Sequence, residues 1–242
     1  MAVALGGGTP YVAAAFTGED PGTLTSPTIS GSNNVLVISH SVNCTALITM
    51  TATLDGSSIA AYRVAHNFNN YTQLDVYVIP NAPSAKTISL SAGDGMICTI
   101  QACYFNGADQ ATGYRTPVAV AGATSGTTGS VDVTPGQAGD MLVGWFGVND
   151  TAAASGFDSG ETFNGTYLGQ ITNNTSEAAC SMNYEALSGS GTKTVSWTKA
   201  TSDGWRVAGI ALQTAESADP YGTPRDHSGT KPFSSFWRPA RV

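Results

Sequence analysis

The sequence predicts an all-β protein, a jelly-roll-like antiparallel β-sandwich with extended N- and C-terminal arms. Three observations carry this expectation. Short segments rich in Val, Ile, Thr and aromatic residues recur along the chain, and Gly, Asn, Asp and Ser turns separate them. Several segments alternate apolar and polar residues with the period of two that a half-buried strand requires. No longer stretch combines helical periodicity with capping residues, and strong helix formers are scarce.

Taken in order, the first candidates are "YVAAAFT" (11–17) and "TLTSPTIS" (23–30), after a Gly-rich opening that reads as an arm. "NVLVISHSV" (34–42) follows the turn-like "GSNN", and "ALITMTATL" (46–54) runs into "DGSS". Next come "IAAYRVAHN" (59–67), "TQLDVYVIP" (72–80), "KTISLSA" (86–92) and "MICTIQACYF" (96–105). In "TQLDVYVIP", Leu74, Val76 and Val78 share one face and Asp75 and Tyr77 the other. The later candidates are "GSVDVTP" (129–135), "DMLVGWFGVN" (140–149), "TYLGQITNN" (166–174), "EAACSMNYEAL" (177–187), "KTVSWTK" (193–199) and "WRVAGIALQTA" (205–215). "MLVGWFGV" is apolar on both faces, as in a central strand covered twice or a face that meets another subunit. "EAACSMNYEAL" is kept as a strand because Cys, Ser, Asn and Tyr are mediocre helix formers.

This count exceeds that of an immunoglobulin domain and suits a jelly roll with added strands. The chain divides into an N-terminal arm with leading strands (1–30), a β-sandwich domain (31–213) and an extended C-terminal arm (214–242). "TPVAVAGATSGTTG" (116–129) reads as a crossover within one jelly roll or as a linker between two sandwiches.

The chain has 242 residues, of which only 11% are charged, and a net charge of −7. No basic stripe marks the body, which argues against nucleic-acid binding. No apolar run is long enough for a membrane-spanning helix. The opening "MAVALGGGTP" has neither the basic nor the apolar region of a secretion signal, so the expected place of synthesis and assembly is a cytoplasm. Cys44, Cys98, Cys103 and Cys180 lack C-x-x-C spacing and read as small buried hydrophobes. The odd separation of Cys98 and Cys103 puts them on opposite faces of one strand.

The order of "NVLVISHSV", "LDVYVIPNAPSAKTISLSAG", "ACYFNGAD", "SVDVTPGQAGDMLVGWFGV" and "VSWTKATSDGWRVAGIALQ" resembles that of a family of β-sandwich proteins. Its members occur among bacteriophage virion proteins of decoration or fibre type and in some extracellular bacterial proteins. The resemblance covers about residues 31–213 and rests on strand-and-turn patterns. It implies a fold and brings no catalytic residue with it.

The residues themselves favour no enzyme and no cofactor. His40 and His66 lie in strand-like stretches and His227 in the tail, and no G-x-S-x-G elbow is present. Glu161, Glu177 and Glu185 read as surface carboxylates. "DSGETFNG" (158–165) and "DGSS" (55–58) offer oxygen atoms to a Ca²⁺ ion but match no fixed spacing, so ordinary turn chemistry is preferred and no metal site is assigned. In the loop "HNFNNYT" (66–72), Phe68 and Tyr71 are candidates for stacking on a host glycan; packing beneath the loop is the alternative.

The tail "SGTKPFSSFWRPARV" (228–242) stands apart. Pro220, Pro224, Pro232 and Pro239 keep it out of helix and central strand. Residues 217–242 carry Arg225, Lys231, Arg238 and Arg241 against Asp219 and Asp226, a cationic patch on an anionic body. Phe233, Phe236 and Trp237 could each bury about 150–250 Å². Lys231, Phe233, Phe236, Trp237, Arg238 and Arg241 are therefore the candidate partner-binding residues. The expected function is a non-enzymatic capsid decoration (cement) protein of a phage virion, assembled in the host cytoplasm as a homotrimer or dimer. Its partner would be the major capsid protein or another virion protein. The alternative is a glycan-binding adhesin or fibre module for host attachment.

Overall fold

The computed structural model describes residues 2–44, 46–69, 72–92, 96–116, 118–149, 162–163, 166–172, 179–198, 202 and 204–215. The first half of the chain forms β1 (Ala4–Leu5), β2 (Tyr11–Glu19), β3 (Gly22–Thr25), β4 (Val35–Asn43), β5 (Thr51–Leu54), β6 (Ser57–Ser58), β7 (Arg63–Phe68), β8 (Thr72–Pro80), β9 (Thr87–Ser91) and β10 (Met96–Asn106). The second half forms β11 (Ala119–Ala123), β12 (Thr128–Gly136), β13 (Met141–Asn149), β14 (Thr162–Phe163), β15 (Thr166–Thr172), β16 (Ala179–Ala186), β17 (Gly191–Thr198) and β18 (Gly204–Leu212). The fold is all-β and antiparallel.

The first half makes an inner sheet, β1-β10-β4-β8-β7 with β2 also beside β10, and an outer sheet, β3-β9-β5-β6. The second half repeats the plan, with β11-β18-β13-β16-β15 inside and β12-β17-β14 outside. The β-sandwich expected over 31–213 is thus present as two sandwiches in tandem, and the chain passes between them after β10 and before β11, so the stretch 116–129 already holds β11 and the start of β12 of the second sandwich. Three apolar layers hold the stack. Leu36, Ile38, Tyr77, Ile88, Leu90 and Ile100 fill the first sandwich. Leu142, Phe146, Val195, Trp197 and Val207 fill the second. Val37, Val76, Phe105, Val143, Trp145 and Ile210 fill the seam where the two inner sheets meet. Each such side chain, fully buried, contributes about 1.5–3 kcal/mol. This double covering explains why the central strands are apolar on both faces. It also places Asp75 and Tyr77, the apparent outer face of β8, under the outer sheet, with 0% and 1% exposure.

The two sandwiches match strand for strand. In chain order, β2, β3, β4, β5, β7, β8, β9 and β10 correspond to β11, β12, β13, β14, β15, β16, β17 and β18. The register agrees as well. Val35 pairs with Phe105 and Pro80, and Met141 with Leu212 and Ala186. A bulge interrupts β7 between Arg63 and Ala65, and another interrupts β15 between Tyr167 and Gly169, at the same step of the ladder. The sequence echoes this: "KTISLS" (86–91) answers "KTVSWT" (193–198), and "NVLVISHSVN" (34–43) answers "DMLVGWFGVN" (140–149).

The seam is self-complementary, as across a twofold axis. β2 touches β15 as β11 touches β7; β10 touches β16 as β18 touches β8; and β4 touches its own counterpart β13. Small residues let the sheets approach. A methyl group on Gly147 would lie 2.8 Å from Ser41 Oγ, and one on Gly169 would lie 2.5 Å from the Tyr11 ring. The Gln101 amide crosses the seam to donate to the Cys180 carbonyl at 2.7 Å.

Two local expectations change. Of "ALITMTATL" only Thr51–Leu54 is strand, because the Ile48 N–H donates to Gln73 Oε1 and not to a strand partner. "IAAYRVAHN" opens with a 3-10 turn, Ala60–Tyr62, before β7 begins. The opening residues run against the body: β1 pairs with β10, and Val3 is buried in the seam core.

Candidate functional site

The predicted partner-binding residues Lys231, Phe233, Phe236, Trp237, Arg238 and Arg241 lie outside the described residues, as does Tyr71. The residues that lead up to them, Thr214 and Ala215, are described, and they are firmly held. The fully buried Asp140 carboxylate accepts hydrogen bonds from the Arg115 guanidinium, from Gln137 N–H at 3.0 Å and from Thr214 N–H at 2.9 Å. The next N–H, of Ala215, donates to the Gly107 carbonyl at 2.9 Å, and Val3 N–H donates to the Gly139 carbonyl at 2.8 Å. One carboxylate therefore ties the end of β18 to the segment entering the second sandwich and to the turn before β13. The chain beyond residue 215 leaves from this knot, at the end of the seam where the N-terminal residues also lie.

Phe68, at the end of β7, is half-buried. Its neighbours Asn67 and Asn69 donate their side-chain amides to the carbonyls of Ala121 and Ala123, which joins β7 to β11 across the seam. Of the other candidates, Asp55 accepts from Lys86 Nζ at 2.6 Å and from Thr87 N–H. Glu185 faces Lys193 at 3.8 Å on the surface, and Glu161 and Glu177 lie outside the described residues. All four cysteines are buried and none is in a disulfide, and Cys98 and Cys103 point into different cores, as their spacing predicts. Among the described residues, no three His, Cys, Asp or Glu side chains stand close enough to hold a metal ion, and no helix is long and apolar enough to cross a membrane.

The structure also assembles a charged cluster that the sequence reading left dispersed. Asp75 stands in the middle of β8, between His40 on β4 and His66 on β7. Its carboxylate meets His66 Nδ1 at 2.6 Å and accepts from Gln73 Nε2 at 2.8 Å. Arg63 Nη1 approaches to 3.6 Å from the surface side. His40 Nε2 lies 3.2 Å from Asp75 Oδ2 without hydrogen-bond alignment, and neither of its ring nitrogens has a hydrogen-bond partner. His40 and Asp75 are fully buried, whereas His66 and Arg63 reach solvent.

Burial pushes His40 below its ordinary value, against the attraction of Asp75 and with added repulsion from His66 and Arg63. Burial would raise Asp75, but His40, the Gln73 amide and His66 together hold its carboxyl below the usual range. The cluster thus keeps a carboxylate in the core beside a buried imidazole that takes up its proton only below the usual histidine range.

The second sandwich has no such set. The residues in register with His40, Asp75 and His66 are Phe146, Ser181 and Gln170. None of these three residue types is ionisable, so the ionic cluster is not something the fold demands. The buried charge on β18, Arg206, lies over Gly122 and donates to the carbonyls of Ala123 and Trp205.

Neither a protein-family model nor a curated protein matches the chain.

Proposed function

We propose that this protein is a non-enzymatic structural component of a phage virion, a decoration protein that binds an assembled shell through its body and C-terminal arm. The observation that carries the reading is the root of the arm. A body of two tightly stacked sandwiches ends in a knot around Asp140, and beyond it the sequence turns to proline, aromatic rings and cations. An extended peptide leaving a fixed point can cover a large surface on another chain, and its rings gain most when buried there. Arg238 and Arg241 suit paired carboxylates on such a partner. Binding to the shell and not to its free subunits stabilises the shell by mass action. Repeated sites on a symmetric shell favour a homo-oligomer.

The test is imaging of the native particle at side-chain resolution, combined with rebinding of a chain that lacks residues 217–242. The expected outcome is Phe233, Phe236 and Trp237 seated on a neighbouring polypeptide, and a truncated body that folds but no longer binds shells. Full occupancy by the truncated chain, or rings seated on their own body in a free monomer, overturns the reading.

A further inference from the structure

We propose that the His40–Asp75–His66 cluster is an acid-operated latch that loosens the first sandwich while the second stays closed. The inference rests on the geometry of the cluster and on its absence from the matching sandwich. It does not depend on the virion reading.

At neutral pH one carboxylate links three adjacent strands. Asp75 on β8 bonds His66 on β7 and attracts His40 on β4, and it holds the Gln73 amide that receives the Ile48 N–H. The segment before β5 is thereby tied to the same point. Among the described residues, the titratable groups around His40 come from three strands. From β8 come Asp75 and the Tyr77 ring, whose centroid is 6.1 Å away; from β7 come His66 and Arg63; from β10 comes the Cys98 thiol. Cys44 lies just beyond β4, near enough for Asp75 to influence its thiol. Among the described residues, the outer sheet presents the apolar side chains of Leu24, Ala52, Leu54, Ile88 and Leu90 to this core.

Acidification adds a proton to His40. The buried imidazolium would then sit beside the Arg63 guanidinium around a single anion, fully buried and with no aligned acceptor. The structure relieves this by opening β7 or the segment before β5, so that water reaches the ring. In the second sandwich, Phe146, Ser181 and Gln170 take up no proton at the same positions, so that half does not respond.

Hydrogen–deuterium exchange of the intact chain reads the two halves separately. Between pH 7.5 and 5.5, after correction for intrinsic exchange, amides of β4, β7 and β8 should lose protection by up to about ten-fold, the ceiling for one buried histidine over this range. Amides of β13, β16 and β18 should be unchanged. Replacing the cluster by its counterparts (His40→Phe, Asp75→Ser and His66→Gln) should remove the difference. A second measurement needs no variant: nitrogen-detected NMR of the histidines should show His40 gaining its proton at the pH where protection is lost. Equal loss in both sandwiches, no loss in the first, loss that persists in the triple variant, or a protonated His40 with protection intact each overturns the proposal.

Discussion

His40 and Phe146 occupy the same position in two equivalent strand ladders. His40 stands opposite Ile100 and Asp75, and Phe146 opposite Val207 and Ser181. One is a polar ring whose nitrogens are unbonded, and the other packs edge-on against Trp197 with ring centroids 5.9 Å apart. Exchanging the first for the second should therefore cost little, whereas removing Asp75 should cost much. Asp75→Ala leaves His66 and the Gln73 amide without their common acceptor and removes the anion beside His40, a loss of about 3–5 kcal/mol. His40→Phe should stay within about 1.5 kcal/mol of the parent, as volume-conserving core changes do. Urea unfolding midpoints of the two variants check this ordering.

Stability should fall in two steps as the solution is acidified. The folded value of His40 lies below its ordinary 6.5. Between the two values the unfolded chain binds more protons, so stability is lost as pH drops below about 6.5. Asp75 is also held below its ordinary value, so its contribution is present above about 3.9 and is lost as pH falls toward the folded value. Urea melts at unit intervals from pH 8 to pH 3 should show both steps, and His40→Phe should remove only the upper one.

The knot at Asp140 should matter out of proportion to its size. Asp140→Ala leaves the Arg115 guanidinium and the N–H groups of Gln137 and Thr214 without an acceptor. The expected cost is about 2–4 kcal/mol. Limited proteolysis should then cut faster near residue 214, because the end of β18 loses its anchor.

The seam should resist added volume. In Gly147→Val the new side chain meets Ser41 and Thr72, and in Gly169→Val it meets the Tyr11 ring. Overpacking of this kind costs about 1–3 kcal/mol. Thermal unfolding should show the loss, and equivalent changes at Gly189 should have no effect, since nothing lies within 4 Å of a methyl group there.

The thiols should be silent in the native state. Burial raises Cys44 to about 11 and Cys180 to about 12, and it raises Cys103 as well. A disulfide reagent at pH 8 should titrate none of the four within minutes, and all four after denaturation in guanidinium.

Strand positions were legible because alternation and turn residues are local. β8, β10, β13 and β17 stand where "TQLDVYVIP", "MICTIQACYF", "DMLVGWFGVN" and "KTVSWTK" put them. β11 was not, because "AVAGA" is small and unpatterned and gains its place only by pairing with β18. The duplication was visible in "KTISLS" and "KTVSWT", a likeness that becomes telling only with the matching strand order. The ionic cluster was harder still. An acid within "LDVYV" and a histidine within "VISHSV" look like solvent-facing positions until the outer sheet covers them. Burial of an alternating strand on both faces is a tertiary fact. The candidate site in the arm rests on composition and lies beyond the described residues.

The meeting of Ala2 and Thr214 at Gly139 has a practical consequence. A methyl group there would lie 3.1 Å from Thr214 and 3.6 Å from Ala2, so the start of the first sandwich and the close of the second are neighbours. A short bridge could join them and new termini could be cut at the passage between the halves. Such a circular permutant would present the sandwiches in reverse order along the gene while leaving every ladder and every seam contact where it is.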